Sequence, residues 1–217
     1  MRILKSLFVL LLPVMFAACG DDNSDFISRP DGKEPSSSAG VFSGSTRNLT
    51  DSRDGKTYKI LTIGTQTWMA ENLNFETDSS FCYNDEETNC TKFGRLYMWE
   101  AATTACPGGW HLPNLTEWET LIKSVGGQSM SGTALMSTSG WDDDGNGTDS
   151  YGFSVLPAGY RDYKGNYRDE GSNAFVWTST EDYSDSAYYV SFWRGRCNVN
   201  LGDNYKYNGL SVRCLKD

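Results

Sequence analysis

Cys106-Pro107-Gly108-Gly109-Trp110-His111-Leu112-Pro113-Asn114-Leu115-Thr116-Glu117-Trp118-Glu119-Thr120-Leu121-Ile122-Lys123-Ser124-Val125-Gly126-Gly127 is the stretch that decides the fold class. Pro107-Gly108-Gly109 cannot continue a helix, so it stops the short helical candidate Met98–Ala105 that precedes it. Asn114 then offers an oxygen to orphan amides, and Glu117 stands three residues on, the spacing of a capping box. Leu115, Trp118, Leu121, Ile122 and Val125 fall on one helical face, which predicts an amphipathic helix from Leu115 to Val125 that Gly126-Gly127 ends. That apolar face reads as ordinary core.

The sequence changes character on both sides of this helix. Upstream, Thr57–Ile63 is a β-branched and aromatic run, Gly64-Thr65 makes a turn, and Gln66–Met69 returns as a second strand. Cys82 and Cys90 bracket a polar loop, Tyr83–Asn89, before Gly94–Tyr97 leads into the first helix. Downstream of Gly132, strands are predicted at Tyr151–Leu156, Ala174–Ser179, Ala187–Trp193 and Leu210–Cys214. Tyr163–Tyr167 and Asp203-Asn204-Tyr205 read as the turns between them. No fixed-period repeat is visible. Two short helices followed by a loop-rich antiparallel sheet make an α+β domain. Seven Trp, twelve Tyr and ten Phe supply enough ring surface to fill its core.

The N-terminus carries a different message. Arg2 and Lys5 precede an apolar run from Leu7 to Phe16, too short to span a bilayer, and the small residues Ala17 and Ala18 lead to Cys19. Phe16-Ala17-Ala18-Cys19 resembles the lipobox of bacterial lipoproteins, in which the cysteine becomes the lipidated first residue. A plain secretory signal is the alternative. Residues 1–18 are thus expected to be a signal peptide and 19–50 a tether rich in Asp, Ser, Gly and Pro, with the folded domain at 51–217. About thirty tether residues reach on the order of 30 Å, enough to hold a domain clear of a membrane. Asp21-Asp22 is similar to surface-export signals of some lipoproteins, and equally reads as the acidic start of a linker. The expected location is the outer membrane or cell surface, with acyl chains on Cys19 as the link to the membrane.

The net charge of −9 excludes one class of partner. Losing Arg2 and Lys5 with the signal makes the mature chain more acidic still, and no basic stripe is present to neutralise phosphates, so nucleic acid is not an expected partner. An oxidising compartment makes disulfides the default for Cys82, Cys90, Cys106, Cys197 and Cys214. Five cysteines form two bridges and leave one over, and spacing alone does not choose the pairs.

Trp68-Met69-Ala70-Glu71-Asn72-Leu73, Gly94–Trp99, Cys106–Pro113, Gly147-Thr148-Asp149 with Tyr151-Gly152-Phe153, Leu156–Arg161, Trp177–Thr180 and Leu210–Cys214 together form one pattern. In this order and number, the chain resembles the Fibrobacter succinogenes major paralogous domain family from about Asp51 to Asp217. The resemblance implies a C-type-lectin-like α+β fold, distantly related to formylglycine-generating enzymes, in exported proteins that are often lipoproteins. It also implies a local clip, Cys82–Cys90, and a bridge, Cys106–Cys214, from the first helix region to the last strand.

Catalytic chemistry is thinly represented. His111 is the only histidine, and its motif reads as scaffold rather than general base. Zinc spacing and phosphate loops are not seen. Copper-dependent oxidation of the formylglycine-generating type would need Cys197 plus a second free thiol. The chain is therefore expected not to be an enzyme. Asp142, Asp144 and Asn146 occupy the first, third and fifth places of a calcium loop, with Asp149 beyond, but Phe153 stands where an EF-hand needs glutamate. Calcium in another geometry and a solvated turn are the two readings. The calcium-bridging triplets of sugar-binding C-type lectins are missing. Tyr163, Tyr167 and Trp193, with Tyr183, Tyr205 and Tyr207 nearby, lie among Asn and Asp in loop-rich sequence, a composition suited to glycan or surface-protein contact. The expected function is a non-catalytic lectin-like binding or adhesion domain; a display domain without a ligand is the nearest alternative.

Overall fold

The computed structural model describes residues 47–217. The signal, most of the tether and Cys19 lie outside the described residues. Strand β1, Arg47–Thr50, pairs antiparallel with β2, Thr57–Ile63, so the sheet begins four residues before the expected domain start at Asp51. Gly64-Thr65 turns β2 into β3, Gln66–Met69, with Ile63 opposite Gln66. β4, Ser80–Phe81, a single 3-10 turn at Tyr83–Asp85 and α1, Glu87–Phe93, follow. After β5, Leu96–Tyr97, come α2, Trp99–Ala105, and β6, Trp110–His111. Two consecutive helices, α3, Leu115–Ser124, and α4, Gln128–Leu135, close the first half.

The second half is β7, Ala158–Arg161, β8, Tyr167–Glu170, β9, Asn173–Tyr183, β10, Ser186–Trp193, β11, Asn200–Tyr205, and β12, Leu215–Lys216. One five-stranded sheet runs β1-β2-β3-β12-β6 and another β11-β10-β9-β7-β8, while β4 and β5 pair by themselves. The domain is α+β. Its last strand is inserted between β3 and β6, so the two ends of the described chain are tied into one sheet.

The long β9–β10 hairpin has apolar side chains on both faces, and each face carries a core. Ala174, Val176, Val190 and Phe192 pack with α3 residues Trp118, Leu121 and Ile122 and with Trp68 and Phe153. Trp68, Trp118 and Phe153 form a ring cluster with centroids 4.8 to 6.0 Å apart, each pair worth about 0.5–1.5 kcal/mol beyond its buried area. On the other face, Phe175, Trp177 and Ala187 pack with Met69, Leu73, Trp99 and Val212. Period-two alternation along β9 therefore feeds two cores at once.

Several sequence expectations are corrected here. α1 takes the end of the segment read as a loop, from Glu87, and runs on to Phe93, because Cys90 and Phe93, three apart, put their side chains inward while the rest is polar. α4 continues beyond Gly126-Gly127, although only Ser131, Gly132 and Leu135 of it are buried. Four helices thus stand where two were expected. Tyr151–Leu156 is not a strand: Val155 makes one bridge to Met136, and Phe153 plugs the ring cluster. Asp203-Asn204-Tyr205 is part of β11 rather than a turn, since β10 supplies a partner for each residue. Leu210–Cys214 makes only single bridges, at Leu210 and Ser211, before β12 begins. Beside its antiparallel ladder with β10, β9 makes parallel contacts at Ala174, with Gly159 of β7, and at Val176, with Ser211.

Candidate functional site

The sequence motifs account mainly for the scaffold. Asn72 is buried, donates its Nδ2 to the Phe93 carbonyl and accepts from Arg213 Nε at 2.8 Å. Arg213 is wholly buried, donates to the carbonyls of Phe153 and Ser154, and stacks its guanidinium on the Phe153 ring. Burial away from water lowers its pKa to about 9. Trp99 Nε1 donates to the Thr178 carbonyl and Trp177 Nε1 to the Tyr97 carbonyl, both at 2.8 Å. Residues far apart in sequence are joined by donors that would otherwise be orphaned in a dry core.

Cys82–Cys90 and Cys106–Cys214 are disulfide-bonded, as the resemblance implies. Cys197, which the two implied bridges leave over, is not free, and neither is any other described cysteine. Glu87 Oε2 lies 3.2 Å from Cys82 Sγ, but a disulfide sulfur has no proton to give, so this is a contact only. Cys82, Glu87 and Cys90 are also the acidic and thiol side chains that converge closely enough for a metal among the described residues, and the bridge occupies both sulfurs.

His111 is held at both ring nitrogens, by Asp217 Oδ1 at 2.6 Å and Glu117 Oε1 at 3.0 Å. Burial lowers its pKa, yet the two carboxylates outweigh burial and raise it overall. With both nitrogens engaged, the ring has no atom left to take a substrate proton in this arrangement. Glu117 also accepts from the Asn114 amide, and Asn114 Oδ1 accepts from the Glu117 amide, completing the capping box at the start of α3. Among the described residues, no helix is long and apolar enough to cross a membrane.

The Asp142–Asp149 loop spends its side chains on protein partners. Asn146 Oδ1 accepts from the Trp141 amide at 3.1 Å, Asp149 accepts from the amide and hydroxyl of Ser154, and Asp143 pairs with Arg194. Asp142 is turned toward Gly171, whose carbonyl accepts from the Asp142 amide. Asp144 is exposed at a left-handed backbone position, φ 56°. Asp142, Asp144 and Asp149 are not drawn together at metal-ligating distance among the described residues.

The three expected contact aromatics occupy different places. Tyr163 is exposed on the turn after β7 and meets Tyr205 edge to face at 6.1 Å. Asp162 organises that turn, accepting from the amides of Lys164 and Asn166 and from Arg168 Nε. The Asn166 side chain and amide, with Arg168, hold its carboxyl well below the usual range. Tyr167 is half-buried against Tyr83 and donates to Asp85; burial first and that carboxylate second push its pKa up to about 12. Arg161 pairs with Tyr167 and Tyr160 with Arg168, so Tyr167 lies on the opposite side of the β7–β8 ribbon from Tyr160.

Trp193 belongs to a different and larger feature. Phe175 sits opposite Ser191, so Tyr189 and Trp193 flank it diagonally on the same sheet face. The Phe175 ring meets Tyr160 at 5.2 Å, Tyr189 at 5.5 Å and Trp193 at 6.4 Å, all edge to face. Trp193 is 43% exposed, and Tyr160 and Tyr189 are half-buried. Trp193 Nε1 donates to the Ser191 hydroxyl, which fixes its ring. In β11, Gly202 lies opposite Tyr189, and a Cβ there would stand 3.0 Å from the tyrosine hydroxyl, so glycine lets that ring lie over the β11 backbone. Sequence reading missed Tyr160, Phe175 and Tyr189; the available signal was the period-two spacing Tyr189, Ser191, Trp193.

The chain matches the family described as the Fibrobacter succinogenes major domain over residues 61–216, and it belongs to that family. No curated protein and no solved structure matches it.

Proposed function

We propose that this chain is a lipoprotein of the outer membrane or cell surface, anchored through acylated Cys19, whose C-type-lectin-like domain binds glycan without catalysis. The observation that carries this reading is the ring face on β7, β9 and β10. Three partly exposed rings with polar edges surround one buried phenylalanine on a rigid sheet. Such rings offer flat apolar area to the C–H faces of sugars, while the tyrosine hydroxyls and the Asn200 amide beside Ser191 are available for sugar hydroxyls. Sheet support keeps the rings ordered before ligand arrives, which limits the entropy lost on binding. The lectin kinship rests on the family resemblance.

A glycan array probed with the purified mature domain and with its Trp193→Ala, Tyr189→Ala double variant tests the assignment. Glycans bound by the parent should lose about tenfold or more in affinity in the folded variant, as hot-spot aromatics do on truncation. Equal binding by both proteins would remove the site from this face. Failure of the parent to bind any glycan would leave a display domain.

A further inference from the structure

The rings around Phe175 stand too far apart for one sugar. Tyr189, Ser191 and Trp193 alternate onto one face of β10, and the pairing with β9 is regular from Tyr189 to Trp193. Four residues of strand separate the two outer ring positions, about 13 Å. Tyr160 lies across β9, two strand spacings or about 9–10 Å from β10. Each ring is a platform about as wide as one pyranose. Between Tyr189 and Trp193 the surface is low, because Ser191 and Phe175 are buried while Trp193 stands exposed. Two raised rings with a low floor between them make a track along β10 rather than a pit for a chain end.

The polar groups on this face are uncharged. Among the described residues, the Tyr160 and Tyr189 hydroxyls have no hydrogen-bond partner. Burial first, and Asp169 and Asp203 after it, raise their pKa, so both stay protonated and can donate as well as accept. On β11, Asn200 and Asn204 share the face, opposite Ser191 and Ala187. Their Oδ1 atoms accept from Asn198 and Asn208, which leaves each Nδ2 group to donate to a ligand. Two flanking cations are committed: Arg168, opposite Tyr160, pairs with Asp162, and Arg194, next to Trp193 in the chain, with Asp143. A carboxylated sugar would thus meet the field of Asp169 and Asp203 while both arginines are already neutralised.

Given the glycan-binding role proposed above, we infer that the site takes an internal stretch of an uncharged linear polysaccharide. The chain lies along β10, with one sugar on Tyr189, another on Trp193 and at least one between them over Ser191 and Phe175, and Tyr160 packs its flank. A single sugar reaches one ring only. Linking the sugars makes the second ring contact intramolecular, so affinity climbs with chain length until both rings are covered.

Isothermal titration of the mature chain with β-1,4-linked oligosaccharides of mannose, glucose and xylose, one to six units long, and with the β-1,4-mannuronate hexamer tests this. At least one uncharged series should bind, its hexamer about tenfold or more tighter than its disaccharide. The mannuronate hexamer should bind about tenfold or more weakly than the best uncharged hexamer. Trp193→Ala should abolish the gain with length, and Trp193→Phe, which keeps a ring, should retain most of it. A disaccharide as tight as the hexamer, or an undiminished gain in folded Trp193→Ala, would overturn the track, and an equally tight mannuronate would overturn the uncharged class. No binding by these oligosaccharides, while arrayed glycans still depend on Trp193 and Tyr189, would overturn this inference and leave the glycan reading standing. No binding on the array either would remove both.

Discussion

At the scale of single residues, the carboxylates that looked available are mostly committed to the scaffold. Glu117 bonds the Asn114 amide with one oxygen and His111 with the other, so one side chain links the α3 cap to the β6 strand. Because the folded-state pKa of His111 is raised, its clamp stabilises fully below the unfolded value near 6.5 and fades as pH rises through the folded value. The stability difference between the parent and His111→Gln should therefore be larger at pH 5.5 to 6 than at pH 9. Salt should shrink it, since the ring is partly exposed. Urea melts at the two pH values check this, and a difference that grows with pH would contradict it. For the Asp142–Asp149 loop, side chains already bonded to Trp141, Ser154 and Arg194 lead to a different expectation. Millimolar calcium should leave the melting temperature unchanged, whereas a rise that Asp144→Ala abolishes would restore calcium to the loop.

At the scale of elements, packing decides where propensity is silent. α3 was legible because its cap, apolar face and glycine stop agree with one another. β2, β3 and β10 were legible through β-branched and aromatic alternation. α4 was not, because Gln128-Ser129-Met130-Ser131-Gly132 has no apolar stripe. It is helical because Gly132 lets it rest on the 197–198 backbone, where a Cβ would come within 2.7 Å of two carbonyl oxygens. Gly132→Ala should thus destabilise the domain by about 1–3 kcal/mol despite its better helix propensity, as a denaturant melt would show. A stabilised variant would mean that α4 is not held against that loop. β11 was misread for a related reason: Asp203-Asn204-Tyr205 has turn composition, but the edge of β10 offers it a ladder. The ring face was half legible. Trp193 was identified from sequence, but its neighbours Tyr160 and Phe175 come from strands that only the tertiary pairing sets beside it.

At the scale of the whole molecule, the described chain is closed end to end. β12 lies between β3 and β6, and Cys106–Cys214 locks that arrangement with a sequence separation of 108, against 8 for Cys82–Cys90. Chain-entropy arithmetic gives about 4.8 kcal/mol for the long loop and about 2.6 for the short one, as model-dependent upper values. Replacing Cys106 and Cys214 by Ser should lower the melting temperature more than replacing Cys82 and Cys90; the reverse order would place the critical closure in the α1 clip. The central claim joins a lipid tether at one end to a glycan-binding face at the other, and adhesion of intact cells to an immobilised glycan selected on the array measures both together. Cells carrying the parent chain should adhere. Cells carrying Cys19→Ser or the Trp193→Ala, Tyr189→Ala pair should not, although the purified Cys19→Ser domain still binds the glycan. Undiminished adhesion by the folded double variant would contradict the account.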